Sequence, residues 1–367
     1  MNVLTRYMLR QLIMPALLAL VAFAGAVWLS QSLRFVDLIV NKGLSMGRFL
    51  YLTSLLVPSL VLVVLPFAAF IGALAGYLKL RGDSEISVCR ATGLSDMQIA
   101  RGAIWLGMGF ALASYTVSLW LMPVAYQQFR DLRQTIMSDF SAVSIQEGVF
   151  TPLSPGLTVF VRDVLADGEL ASVIVHDTRV PPREITVIAT RGELVQSGNG
   201  PVLQLRDGSY QERTPAGGLS LVYFDDTTLE LTSRSGTPSE RIEKTREMSI
   251  GELLWPAEDV TDAHQRNLMI AEGHERLSWP LLSLALPLVA AAATLRYQAV
   301  RQSGLAASAV ASLVAVGLVV GSLTALSVVK ADLRLVPILY LIPGLTVLIA
   351  STVLASAPSR GSRVATS

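Results

Sequence analysis

Long apolar runs separated by short polar segments make up most of the chain, and one interval in the middle departs from that pattern. The runs cover Leu12–Leu33, Leu50–Leu78, Ala103–Val124, Leu277–Leu295, Leu305–Val329 and Leu335–Leu354. Each approaches or exceeds the ~20 residues a helix needs to cross ~30 Å of hydrocarbon. The pattern predicts a membrane α-helical protein with six transmembrane helices, three before the interval and three after it. Pro58 and Pro66 in the second run, and Pro280 and Pro287 in the fourth, are expected to bend their helices. Neighbouring groups or water would then satisfy the carbonyls those prolines free. Gly72 with Gly76, and Gly317 with Gly321, have the spacing that lets helices approach closely.

The interval from about Gln127 to Arg276 changes period. Tyr126 to Phe140 reads as a continuation of the third helix into solvent, and Asp262 to Arg276 as a helix leading into the fourth. Between them, short alternating runs include Leu157–Arg162, Ala171–His176, Ile185–Ala189, Glu193–Gln196, Val202–Arg206, Leu219–Phe224 and Thr228–Thr232. Asp167-Gly168, Asn199-Gly200 and Asp207-Gly208 fall between such runs and have the chemistry of hairpin turns. About eight strands with no helix among them predict an inserted all-β sandwich or jelly-roll domain. The expected domains are therefore residues 1–126, 127–276 and 277–367. Either Leu157, Val159, Val161, Val173 and Val175 or their neighbours of opposite parity face the interior of that domain, and alternation alone does not choose between them.

Charge on the short flanks sets the orientation. Arg6, Arg10, Lys79, Arg81, Arg90, Arg101, Arg296, Arg301, Arg360 and Arg363 collect on one side. The short loops opposite hold Arg34, Lys42, Arg48, Lys330 and Arg334, partly offset by Asp37 and Asp332. Both termini are expected in the cytoplasm and the β-domain on the other face. Composition agrees with a membrane protein: 52% of residues are apolar and 16% charged, with mean hydropathy +0.52, where soluble chains carry about a quarter charged residues. A net charge of +1 gives no basic field for nucleic acid. The single cysteine, Cys89, makes neither a disulfide nor a metal cluster, and His176, His264 and His274 lack metal-site spacing.

No GxxxxGK[ST] phosphate loop occurs, so this chain is not an ATPase by that route, and no HExxH or kinase pattern is found. Interest therefore centres on the polar link Lys79–Ser95 between the second and third runs. Asp83 or Ser84 can cap a short helix over about 83–93, Glu85 lies in its first turn, Gly93 suits its end, and Ser95 with Gln98 forms a capping box for the third span. Such a helix is either a capped turn at the membrane surface or a coupling helix that docks on a cytoplasmic motor. In the second case Glu85 is the charged contact and Ile86, Val88 and Ala91 are apolar ones. Arg34, just past the first span, with Lys42 and Arg48, is either an interfacial anchor or a contact for an anionic substrate. A transporter subunit, a membrane-anchored lipid-binding or sensor module signalling through the Lys79–Arg101 loop, and a membrane enzyme acting on lipids all stay open on these residues.

Several local sequences resemble the LptF/LptG permeases of the lipopolysaccharide export ABC transporter, the LptF branch more closely. They are Arg6-Tyr7, Ser84-Glu85-Ile86 with Ala91-Thr92-Gly93-Leu94-Ser95, Gly148-Val149-Phe150, Pro155–Arg162, His176–Arg179, and Glu275-Arg276-Leu277 with Trp279-Pro280-Leu281. The resemblance implies a bacterial inner-membrane protein with a periplasmic β-jelly roll and no catalytic or metal residues. It would pair with an LptG-like permease on an LptB ATPase dimer that uses ATP and magnesium, with no cofactor bound by this chain. Lipopolysaccharide would pass through the jelly roll, along Leu157, Val159, Val161, Val173 and Val175 or the opposite face, to LptC and the LptA bridge. Coupling to the ATPase is implied for Glu85, flanked by Ser84, Ile86, Val88, Arg90 and Ala91. Arg34 is the nearest match to the family's basic substrate contacts, and a second cation expected beside it is replaced by Ser32 or Phe35.

Overall fold

The computed structural model describes residues 3–33, 45–141, 147–154, 156–165, 169–179, 184–197, 200–213, 218–230, 245–257, 262–296 and 304–356. Six helices among them are long and apolar enough to cross a membrane. The first is α1 (Val3–Ser32). The second run divides into α2 (Met46–Ser54) and α3 (Val57–Gly82), which corrects the expectation of one helix from Leu50. Pro58 is the reason: lacking an N–H, it suits the first turn of a helix, where no donor is needed, so it starts α3 and does not bend it.

Between the second and third spans lies α4 (Glu85–Ala91). The third span is α5 (Asp96–Thr116), a π-helical turn over Val117–Leu121, and α6 (Met122–Ser141). Pro123 follows that turn and has no N–H for the carbonyl of Leu119, which accounts for the local loss of α-helical bonding. After the sheet come α7 (Ile250–Leu254), α8 (Ala263–Arg296), α9 (Gly304–Ala331) and, beyond a 3₁₀ turn at Leu333–Leu335, α10 (Pro337–Ala355).

The fourth span, α8, is the centre of the helical unit. In its most apolar stretch 72% of residues are buried, against 17–44% in the other five spans. The first and second spans touch through the small residues that the spacing pointed to. A Cβ on Gly72 would overlap Ala16, and one on Gly76 would lie 2.9 Å from Leu12 Cδ1. Gly317 and Gly321 have nothing within 4 Å of that position, so this second pair packs on no described part of the chain.

Two of the prolines inside helices have their freed carbonyls taken by neighbours. Pro66 leaves the carbonyl of Leu62 without its helical donor, and the Trp279 indole donates to it at 3.2 Å. Pro280 frees the carbonyl of Arg276, and the Ser118 hydroxyl donates to it at 3.3 Å from the π-helical turn. Ser114 and Ser283 add a buried hydroxyl pair at 3.1 Å between the third and fourth spans.

The chain divides into two compact units, residues 1–129 with 243–367, and residues 130–242. In the second, β1 (Phe150–Ser154), β2 (Leu157–Val164), β3 (Leu170–Asp177), β4 (Glu184–Ser197), β5 (Gly200–Arg213) and β6 (Leu219–Glu230) form one antiparallel sheet in sequential order. The runs Ile185–Ala189 and Glu193–Gln196 thus belong to one strand, and the Asp207-Gly208 pair lies inside β5 and not at a hairpin. Asn199 and Asp167-Gly168 fall outside the described residues, although Ser197 pairs with Gly200 across the first of these turns.

A bend crosses the sheet along one row. By register, Arg162, Ser172, Thr190, Asp207 and Asp225 lie opposite one another, and the four ladders from β2 to β6 skip that row while keeping their register on both sides. Ser172 and Asp207 have left-handed backbone there, with φ of 53° and 51°. The inward face changes parity across the row: Val161 is followed by Val164, Leu170 by Val173, and Leu205 by Tyr210. An odd spacing turns a strand over. Residues from both sides of the bend consequently join one apolar cluster, which lets a single sheet bury its own face.

Candidate coupling site and substrate face

Helix α4 is built as a presented segment. Ser84 stands at its N-cap position, with φ 60° and no side-chain cap, so neither residue proposed for that role caps it through a hydroxyl or carboxylate bond seen at this site. Its end is a Schellman motif, in which Leu94 N–H bonds the carbonyl of Cys89 at 3.2 Å and Gly93 N–H that of Arg90 at 3.0 Å. Gly93 takes φ +87°, as its position after the helix requires. The Ser95–Gln98 capping box is formed in both directions and starts α5.

The side chains of α4 divide between two directions. Ile86 is 0% exposed and belongs to the core of the helical unit, whereas Val88 is 62% exposed. Ser84, Ser87 and Ala91 are exposed as well. Glu85 accepts a 2.9 Å hydrogen bond from the Tyr7 hydroxyl of α1. Behind it, Gln11 donates to Tyr7 at 3.3 Å and Lys79 donates to Gln11 at 3.2 Å. Cys89 is half-buried, and burial, with the Glu85 charge second, pushes its thiol up from the ordinary value, so it stays protonated.

Arg90 faces its own chain. Its guanidinium donates to both oxygens of Asp96, at 2.7 and 2.9 Å, and to the carbonyl of Leu295 at 2.6 Å. One side chain thereby joins α4, the start of α5 and the last turn of α8. Nothing in the local sequence signals this, because Leu295 is 205 residues away. Tyr7 was equally invisible as a partner of Glu85, although it stands in the Arg6-Tyr7 pair.

The basic residues expected to meet an anionic substrate are described only in part. Arg34 and Lys42 lie outside the described residues, and Arg48 is exposed on α2. In the sheet, Leu157, Val159, Val161, Val173 and Val175 are all buried on one face and form a single cluster with Val187, Leu203 and Leu205. The opposite face carries a groove of about 560 Å³ whose lining includes Phe160, Arg162, Ile174, Ile188 and Tyr223.

Two further polar constructions were not anticipated. Arg276 is 1% exposed and donates to the carbonyls of Met248, Arg246 and Thr245 at 2.8, 2.9 and 3.2 Å, with Glu272 at 3.4 Å. Arg246 in turn donates to the Tyr126 hydroxyl at 2.9 Å. Burial alone would lower the pKa of Arg246, but Tyr126, Glu272 and Glu275 outweigh it and the guanidinium is held above its ordinary value. At the end of β3, Asp177 accepts from Arg179 Nε at 2.9 Å, Nη2 at 2.6 Å and the backbone N–H at 2.9 Å. Burial would raise the Asp177 carboxyl, and these bonds with the Arg179 charge hold it below its ordinary value instead.

Comparison with known proteins fits this architecture. A family model described as "Lipopolysaccharide export system permease LptF/LptG" matches residues 6–356. An uncharacterized protein of Rickettsia prowazekii is 27% identical over 295 residues, covering 80% of this chain and 81% of that protein. The lipopolysaccharide export system permease protein LptG of Escherichia coli is 29% identical over 182 residues, 48% of each chain. The corresponding LptF protein is 23% identical over 207 residues, 56% of this chain and 55% of that one. The chain thus spans about half the length of each named permease it matches. With the family model matched from the first span to the last, the chain belongs to the LptF/LptG family of lipopolysaccharide export system permeases.

Proposed function

We propose that this chain is one of two permease subunits of an ABC transporter that extracts lipopolysaccharide from the inner membrane. The observation that carries the reading is α4: a short helix between two spans, closed by a Schellman motif, anchored by Ile86 and displaying Glu85 and Val88. A chain without a phosphate loop needs a surface on which a separate ATPase can act. In this reading an LptB dimer hydrolyses ATP with magnesium and docks on Ser84, Glu85, Val88 and Ala91, while Ile86 and Arg90 hold the helix in place. An LptG-like permease completes the cavity, and Arg34, Lys42 and Arg48 meet the phosphates of the lipid.

Both termini and α4 then face the cytoplasm, and the β-domain within residues 130–242 is periplasmic. There it acts as a jelly-roll trough that hands the lipid to LptC and the LptA bridge. Each acyl methylene kept from water is worth ~0.8 kcal/mol, which the face formed by Leu157, Val159, Val161, Val173 and Val175 can supply. Since that face is closed in the structure, a lipid enters only when the sheet opens along its bend.

Affinity purification of the tagged chain from membranes, with photocrosslinking to lipopolysaccharide, tests the reading. A nucleotide-binding ATPase and a second permease are expected to accompany it. A chain that purifies without an ATPase, and whose depletion leaves surface lipopolysaccharide unchanged, favours the anchored sensor module instead.

A further inference from the structure

The fourth span is held at two points by arginines that also hold something else. At its C-terminal end the Leu295 carbonyl lies in the last turn, where carbonyls have no partner within the helix and where positive charge is favoured. Arg90 occupies that position at 2.6 Å while gripping both oxygens of Asp96. Its rigid planar fork meets both Asp96 oxygens and the carbonyl in one fixed geometry, which a lysine ammonium does not reproduce. Any displacement of α4 therefore acts directly on the end of α8.

About 28 Å along the same helix, at 1.5 Å per residue, Arg276 binds three main-chain carbonyls of residues 245–248. This is the first described segment after β6 in the chain. Bonds to carbonyls fix its backbone whatever its side chains do, and the arginine is 1% exposed, so the grip is not shared with water. Between the two attachments α8 remains a single helix despite Pro280 and Pro287, and the Ser118 hydroxyl takes the carbonyl that Pro280 frees. The third span also reaches this segment, through Gln127 to the Glu247 carbonyl at 3.0 Å and Tyr126 to Arg246, but it is interrupted by its π-helical turn.

We propose that the fourth span carries movement of the coupling helix to the segment returning from the β-domain, with Arg90 and Arg276 as positioning residues at its two ends. This rests on the docking of an ATPase at α4, and the experiment separates the two. In the assembled complex, with Cys89→Ser and cysteine-free partners, a spin label is placed through Gly251→Cys, an exposed site on α7 with nothing within 4 Å of a Cβ. Its spectrum is compared without nucleotide and with the ATPase trapped by vanadate.

The parent chain is expected to show a nucleotide-linked change. Arg90→Met and the isosteric Asp96→Asn at one end, and Arg276→Lys at the other, are expected to shrink it by about fivefold or more. With Asp96→Asn and Arg276→Lys the nucleotide-free spectrum and ATPase retention should stay as in the parent, which a merely structural loss would not allow. A change of parental size in Arg90→Met and Arg276→Lys overturns the proposal. A parent chain that retains no ATPase, or that shows no nucleotide-linked change, overturns the docking reading on which the proposal stands.

Discussion

Trp279 donates its indole N–H to the carbonyl of Leu62 across 3.2 Å, and Leu62 is the residue that Pro66 deprives of its helical donor. A bond between the second and fourth spans thus repairs a defect within the second. Within hydrocarbon an unpaired carbonyl has no water to turn to, so the proline is tolerated because the tryptophan is there. Trp279→Phe keeps most of the ring and removes the donor. It is expected to lower stability by about 1 kcal/mol, read as a fall in the thermal unfolding midpoint in detergent. An unchanged midpoint would show that another donor serves Leu62.

The bend in the sheet makes Gly208 irreplaceable. A Cβ there would overlap the carbonyl of Ile188 and lie 2.5 Å from Phe224 Cζ. The ring can rotate away, but the carbonyl belongs to the β4 backbone and cannot. Gly208→Ala is expected to cost about 1–3 kcal/mol, with faster amide exchange across β4, β5 and β6 in the full-length protein. The exposed Gly251, where a Cβ meets nothing within 4 Å, is the matched control.

Acid should loosen the end of β3. Folding holds the Asp177 carboxyl below its ordinary value through Arg179, so the unfolded chain binds the proton more readily and stability is lost as pH is lowered. The contribution is complete above about pH 4, the ordinary carboxylate range, and is lost as pH drops through the lower folded value. Asp177→Asn is expected to reduce stability at neutral pH and to flatten the acid limb of the unfolding curve. An identical acid limb in the variant would remove Arg179 from the explanation.

Charge at the substrate face has a direct readout. Arg34→Glu and, separately, Arg48→Glu are expected to weaken photocrosslinking of lipopolysaccharide several-fold, because a phosphate then meets a like charge. Normal crosslinking with normal growth would reduce these cations to interfacial anchors.

Much of the fold was legible because it depends on length and period. A run of about twenty apolar residues has few other solutions, and strict alternation marks strands even when their pairing is unknown. What escaped depends on contacts between distant positions. The break before α3 follows Thr53-Ser54 inside a run whose hydropathy reads as one span, and Pro58 can either bend a helix or begin one. Asp207-Gly208 has the backbone preference of a hairpin turn, yet a left-handed residue is equally what the bend requires. Alternation counted from Leu157 could not show that parity reverses at this row.

The coupling site divides the same way. The glycine stop and the Ser95–Gln98 capping box are local and could be read from Lys79 to Gln98, whereas the side-chain cap expected from Asp83 or Ser84 is not formed. The direction of each side chain was not, since Ile86 turns to the core and Arg90 to Leu295 through partners far along the chain. Glu85 was identifiable as a carboxylate in a first turn, but its bond to Tyr7 was not.

The central claim is that Glu85 transmits the work of a separate ATPase. Its most direct test is lipopolysaccharide release per ATP hydrolysed by the reconstituted complex, measured for the parent chain, Glu85→Ala and Tyr7→Phe. Glu85→Ala is expected to lower both ATPase retention and release by at least about tenfold, in line with loss of a charge-assisted contact of ~1.5–3 kcal/mol. Tyr7→Phe, which leaves the carboxylate in place, should retain the ATPase and release lipid less efficiently. Full retention and full release with Glu85→Ala would contradict the account.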